Sequence, residues 1–226
     1  GYDTRNLCEA NMSRIIETEA DIAEGASALA AACEHMARVY AVTGPPPLRR
    51  RVDGFEGLAR IITNQQLSVP SASAIWGRLE QAVRPMDAEN FLRKRHSTLR
   101  ECGLSAAKIA TIGTIAKAIS GGTLDLGALA FADDDMIAAQ LTALKGVGPW
   151  SADIYIMFCI GRADAWAPGD LALKNAVQDA CGLKHLPDEA VMDDMAEAWR
   201  PWRGVAARML WAYYAVRRST KSGAPV

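Results

Sequence analysis

The stretch 141–170 leaves this chain few ways to fold. It reads L-T-A-L-K-G-V-G-P-W-S-A, then an apolar run, then W-A-P-G-D. Lys145-Gly146-Val147-Gly148-Pro149 is a tight turn set between two helical patterns. Upstream, the acidic residues 133–135 stand where a helix N-terminus favours them, ahead of Met136, Ile137, Leu141 and Leu144. Downstream, residues 150–160 are apolar and numerous enough for a buried helix. Glycine reaches backbone angles closed to other residues and lets a ligand approach the main chain. The amides of Gly146, Gly148 and Ser151 are therefore expected to face outward at a helix start, which suits a phosphate. An ordinary interhelical turn also accommodates G-x-G, so the turn alone does not decide the matter.

The rest of the chain keeps a helical period. Ile15, Ile16, Ile22, Leu29, Met36 and Val39 recur at helix-compatible intervals, as one long helix or two shorter ones, until Gly44-Pro45-Pro46-Pro47. Asp53 with Glu56 reads as an aspartate form of the capping box, opening a helix that buries Phe55, Leu58, Ile61 and Ile62. At its end stand Gln65 and Gln66, which a solvated helix terminus would also explain. Ser68 and Ser105 are caps for two further helices; Lys108, on the second, reads as a solvated or a phosphate-facing charge. Residues 188–199 are expected to be helical, and Trp199-Arg200-Pro201-Trp202-Arg203 leads into Ala206, Leu210, Trp211 and Tyr214. Strand-like alternation is absent, so the reading is all-α.

Composition narrows the setting. Half of the 226 residues are apolar, enough to fill one compact domain or two packed lobes. No apolar run approaches bilayer length and no cleavable leader is visible. Cys8, Cys33, Cys102, Cys159 and Cys181 are scattered without a C-x-x-C pair, which reads as reduced, buried thiols in an intracellular protein. His35, His96 and His185 show no zinc spacing. A formal net charge of −1 advertises no strongly basic surface, although a local patch is compatible with it.

The pattern L-x-x-L-x-G-V-G-P-W-[ST]-A, with Asp170 in A-P-G-D about twenty residues beyond Trp150, resembles the helix-hairpin-helix of the HhH-GPD superfamily of DNA base-excision glycosylases. The strings P-L-R-x-R-x-x-G-F-E-x-L-x-R-x-I-x-x-Q-Q-L-S from Pro47, G-L-S-x-x-K from Gly103, and W-x-P-W-R-x-x-A-x-x-x-x-W from Trp199 are similar to its 3-methyladenine DNA glycosylase II type. The resemblance implies an all-α, two-lobed fold with a DNA cleft between lobes and no β domain. Residues 1–50 would pack with the C-terminal lobe, 51–163 form the central lobe with the hairpin, and 164–226 the C-terminal lobe carrying the aspartate loop.

It also implies roles. Asp170 would be the catalytic carboxylate, although an aspartate there can equally cap the next helix. Gln66 would be the wedge that fills the duplex where a base has left, and Gln65 would sit near the base pocket. Trp150 and Trp211 would line that pocket, with Ile154 and Leu171 standing where some relatives carry aromatics. Gly146, Gly148 and Ser151 would hold a DNA phosphate. The carbonyls of Thr142, Leu144 and Val147 would hold a monovalent cation, Na+ or K+, with no cofactor required. Bifunctional relatives carry a Schiff-base lysine where this chain has Trp150, so a monofunctional hydrolase that leaves an abasic site is implied. The substrates would be alkylated purines such as 3-methyladenine and 7-methylguanine in duplex DNA, extruded by base flipping. Such bases are cationic, which suits aromatic faces and makes them good leaving groups without a general acid. The rivals are a glycosylase for deaminated or oxidised bases and a non-catalytic DNA-binding module. The expected partner is double-stranded DNA with damaged bases, bound by a monomer with no membrane association. The expected location is the cytoplasm or nucleoid of a bacterium, or a eukaryotic nucleus.

Overall fold

A computed structural model describes residues 14–222; Cys8 and the start of the expected N-terminal segment lie outside the described residues. The chain divides into two compact units. One is Arg51–Ile160; the other joins the described residues up to Arg50 to those from Gly161 onward.

The early helical pattern resolves into two helices, α1 (Glu19–Ala32) and α2 (Glu34–Thr43). Thr18 starts the first: its hydroxyl accepts from the Asp21 amide, and the Asp21 carboxylate accepts from the Thr18 amide. Donation from the Thr18 hydroxyl, helped by the Thr18 and Glu17 amides, holds the Asp21 carboxyl down to a pKa of about 2. Ile22, Ala26, Leu29, Met36 and Val39 are buried, as their spacing requires.

The unit Arg51–Ile160 is built around α3 (Gly54–Asn64), whose Phe55, Leu58, Ile61 and Ile62 are all buried. It is followed by α4 (Val69–Ala82), the short α5 (Ala88–Leu92) and α6 (His96–Glu101), α7 (Ala106–Ser120), α8 (Leu126–Leu129), α9 (Asp134–Thr142) and α10 (Pro149–Tyr155). Helix α3 packs against α4, α7 and α10. Ser68, Ser105 and Asp133 each cap the helix they precede. Asp53 does not: it occupies the N-cap position of α3 but makes no cap bond through its side chain. The Gly54 amide, the first of the helix, donates to the Tyr155 hydroxyl at 2.9 Å, a phenol whose pKa burial pushes up. The apolar run after the hairpin is α-helical only as far as Tyr155. Ile156–Ile160 forms one fully buried π-helical turn, and its Phe158 carbonyl accepts from the Arg51 amide at 2.9 Å.

In the other unit, α11 (Leu171–Cys181), α12 (Glu189–Ala196) and a 3-10 turn (Glu197–Trp199) lead to α13 (Arg203–Ser222). Helix α13 packs against α1, α2 and α11, burying Val205, Ala206, Ala207, Met209 and Leu210. Within α13, Arg208 is itself buried; it donates to the Gly204 carbonyl at 2.7 Å. Burial, with Arg50 nearby, lowers its pKa to about 10.

Apart from an isolated antiparallel bridge between Ile15 and Arg162, the described residues contain no strand, and the all-α expectation is borne out. No described helix is long and apolar enough to cross a membrane. Cys102 and Cys159 are buried thiols, whereas Cys33 and Cys181 are only half-buried. No cluster of His, Cys, Asp and Glu among the described residues is suited to a metal ion.

The two kinds of cap separate experimentally. Replacing Ser105 with alanine removes a used cap and is expected to cost about 1 kcal/mol in denaturant unfolding. Asp53→Ala is expected to stay within about 0.5 kcal/mol of the parent, because no cap bond is lost.

Candidate functional site

The hairpin joins α9 to α10. Leu141 and Val147 are buried and pin it to the unit. Gly146 has a φ of +93° and lies against Thr111, whose side chain occupies the space a Cβ would need. Any other residue there would combine backbone strain with a collision, so the first glycine is dictated twice over. Gly146 is exposed and Gly148 half-buried, and neither amide has an acceptor among the described residues. Ser151 behaves differently from its sequence expectation. It is the third residue of α10 and faces inward, 1% exposed. Its amide donates to the Gly148 carbonyl at 3.0 Å, and its hydroxyl accepts from Gln65 Nε2 at 2.7 Å.

At the end of α10's partner helix α9, the Thr142 hydroxyl turns back to the Ala138 carbonyl at 2.7 Å. The Leu144 carbonyl accepts from the Val147 amide at 3.0 Å. The carbonyls of Thr142 and Val147 take no backbone amide among the described residues.

The loop after α3 is the second feature of this unit. Gln65 ends the helix, and Gln66 adopts a left-handed φ of +56°. For a residue with a Cβ this conformation costs roughly 1–2 kcal/mol and persists only where its surroundings enforce it. Lys108 supplies the enforcement. Its ammonium donates to the carbonyls of Thr63 and Gln65, each at 2.8 Å, so it is neither solvated nor directed at a phosphate. Lys108 is half-buried, which lowers its pKa, and the charge is well placed on the carbonyl end of a helix. With Ser151 holding the Gln65 side chain and Lys108 holding its carbonyl, Gln66 is left as an exposed tip. Leu67 and Val69 flank it, 38% and 80% exposed. Sequence reasoning passed over both; the signal was an apolar residue in the first turn of α4, off that helix's buried face.

In the other unit, Asp170 is the N-cap of α11. Its Oδ1 accepts from the Leu173 amide at 2.9 Å and from Trp211 Nε1 at 3.1 Å. Capping and attachment to the expected aromatic thus coincide on one carboxylate oxygen. The loop that carries it is firmly tied. Gly161 accepts from the Ile16 amide, and Ala163 accepts from the Gly204 amide, both at 2.7 Å. Asp164 takes Arg203 Nε at 3.0 Å and Nη2 at 2.9 Å, and also binds Arg200. Trp166 meets Trp199 edge to face, with centroids 5.4 Å apart. Trp199 and Trp202 belong to the core.

The remaining expected site residues are placed unevenly. Trp150 is half-buried in the first turn of α10. Leu171 is 63% exposed at the start of α11, whereas Ile154 is 4% exposed and presents almost no surface to a ligand. What the geometry offers chemically is a carboxylate of fixed orientation beside an indole, and a pair of glycine amides with no internal acceptor.

The family model of the HhH-GPD superfamily base excision DNA repair protein matches residues 59–201. The chain is 28% identical over 170 residues to DNA-3-methyladenine glycosylase 1 of Schizosaccharomyces pombe, covering 70% of this chain and 71% of that protein. It is 30% identical over 224 residues to the probable bifunctional transcriptional activator/DNA repair enzyme AlkA of Mycobacterium tuberculosis, covering 92% of this chain and 43% of that protein. The solved structure of the S. pombe 3-methyladenine DNA glycosylase in complex with abasic DNA matches with a TM-score of 0.77 at 25% identity, over 83% of this chain and 95% of that one. A DNA-3-methyladenine glycosidase from Bacillus halodurans matches with a TM-score of 0.74 at 27% identity, over 92% and 94%. The chain belongs to the HhH-GPD superfamily.

Removing the clamp should loosen the Gln66 loop. Lys108→Met deprives two carbonyls of a charged donor and is expected to cost roughly 1.5–3 kcal/mol in denaturant unfolding. Faster amide exchange at Gln65–Leu67 should accompany it, and a loss confined to elsewhere in the unit would contradict the clamp.

Proposed function

We propose that the protein is a monofunctional DNA glycosylase that hydrolyses the N-glycosidic bond of alkylated purines in duplex DNA and leaves an abasic site. The observation that carries this reading is the Asp170 carboxylate, held through Oδ1 by the Leu173 amide and the Trp211 indole. The 3-methyladenine glycosylases among its relatives support the choice of substrate. As the bond to the base breaks, positive charge develops on the deoxyribose. A carboxylate fixed in advance stabilises that charge without reorganising during the reaction. Alkylation at N3 or N7 already makes the purine a good leaving group, so the scheme needs no general acid. An electron-rich indole such as Trp211 favours a cationic base over a neutral one.

Extruding the base costs roughly a few kcal/mol, less when it is damaged. The amides of Gly146 and Gly148 would offset part of this by gripping a phosphate, and Gln66 would fill the vacated space. Its amide can also hydrogen-bond the partner base, which an apolar plug cannot. Ser151 and Lys108 contribute by holding that loop rather than by touching DNA. The carbonyls of Thr142, Leu144 and Val147, in and after the last turn of α9, would be the hard oxygen donors to a monovalent cation. Bound there, the cation would add positive charge beside a phosphate. Trp150 at the position of the Schiff-base lysine is the basis for reading the reaction as hydrolysis alone.

Asp170→Asn tests the central role cleanly, because asparagine also caps helices and should preserve the start of α11. Release of 3-methyladenine or 7-methylguanine from alkylated duplex is expected to fall by at least about 100-fold, with duplex affinity retained. Undiminished release would remove Asp170 from the mechanism. A lesion panel including deaminated and oxidised bases fixes the substrate range, and a borohydride-trapped adduct would refute the monofunctional reading.

A further inference from the structure

The unit Arg51–Ile160 carries a second feature on the flank of the hairpin. A groove of about 710 Å3 runs from α5, α6 and α7 to Lys145 and Gly146. Its floor includes the buried side chains of Phe91, Leu99 and Ile109. Around it stand Lys94, Lys117 and Lys145, and no carboxylate lines it.

These lysines lack the carboxylate partner that several other surface cations have. Arg93 pairs with Glu89 one turn away, Arg38 with Glu34 and Arg217 with Asp179. Lys94, Lys117 and Lys145 have no ion-pair partner among the described residues. In a chain of net charge −1, three uncompensated ammonium groups around one concavity are a local concentration of positive potential. Walls of low dielectric focus such a field outward, toward an extended anion. Lys145 and Gly146 belong at once to this groove and to the hairpin. A polyanion engaged by the hairpin amides would therefore meet the groove as its next surface.

We propose that this groove binds the phosphate backbone of the duplex flanking the nucleotide held at the hairpin, with Lys94 and Lys117 as its outer contacts. The inference rests on the duplex-binding reading of the preceding section. It adds to that reading a second, sequence-independent footprint. An acidic protein segment is the competing occupant; the continuity through Lys145 and Gly146 favours DNA.

The experiment uses the full chain and a duplex carrying an abasic-site analogue, with affinity measured by fluorescence anisotropy across a salt series. Each phosphate neutralised contributes about 0.9 to the slope of log K against log salt. Lys94→Ala with Lys117→Ala is expected to flatten that slope by about 1 to 2 and to weaken binding at least about five-fold near 0.1 M salt. Melting temperature should stay at the parent level, since neither lysine has an ion-pair partner among the described residues to lose. Charge reversal at the two positions should weaken binding further. A parental slope in the double variant would overturn the proposal, and with it would stand the acidic-segment alternative. If the unaltered chain bound duplex without salt dependence, the duplex-binding reading would fail and take the groove with it; a normal parental slope with no change in the variant sinks the groove alone.

Discussion

One oxygen atom carries two obligations in this protein. Asp170 Oδ1 satisfies an orphan amide at the start of α11 and accepts the indole N–H of α13. The same geometry that satisfies the amide thus presents its acceptor to the indole as well. The usual opposition between an aspartate that caps and an aspartate that reacts therefore does not apply. Capping fixes the direction of the side chain, the indole fixes its rotation, and a group so restrained is prepared to act on charge that appears nearby. The ties of Asp164 to Arg200 and Arg203 extend that restraint into the loop before it.

The local parts of the structure were legible from sequence. Ser68, Ser105 and Asp133 cap as their positions suggest, and the apolar spacing of Phe55, Leu58, Ile61 and Ile62 finds the buried face of α3. These readings concern residues within a turn or two of each other, where period and capping rules apply. The misreadings share a different property. The Gly54 amide is satisfied by Tyr155, Lys108 donates back to the end of α3, and Ser151 holds Gln65. Each depends on a partner far along the chain, and no window of sequence contains both members. Asp53 looked like a cap because it sits in the right place, yet its side chain makes no cap bond.

Charge shows the same limit in another form. Near-neutral composition gives no hint of a nucleic-acid surface, because it sums over positions that the fold separates. Arg93 and Arg217 are each answered by a carboxylate. The lysines beside the hairpin are not. Pairing, rather than abundance, decides where a field survives at the surface.

The order of the units along the chain has a consequence for biosynthesis. Among the described residues, the unit Arg51–Ile160 is contiguous, whereas the unit holding Asp170 is assembled from segments on either side of it. During translation the hairpin and the Gln66 loop can reach their native contacts while the segment from Gly161 onward is still unmade. Helices α1 and α2 must meanwhile wait for α13, which supplies the surface they bury. Asp170 thus reaches its indole partner late, by closing a long loop whose entropic cost grows only slowly with its length. A ribosome stalled before α13 would release a chain with its hairpin formed and the Asp170 carboxylate without its indole partner.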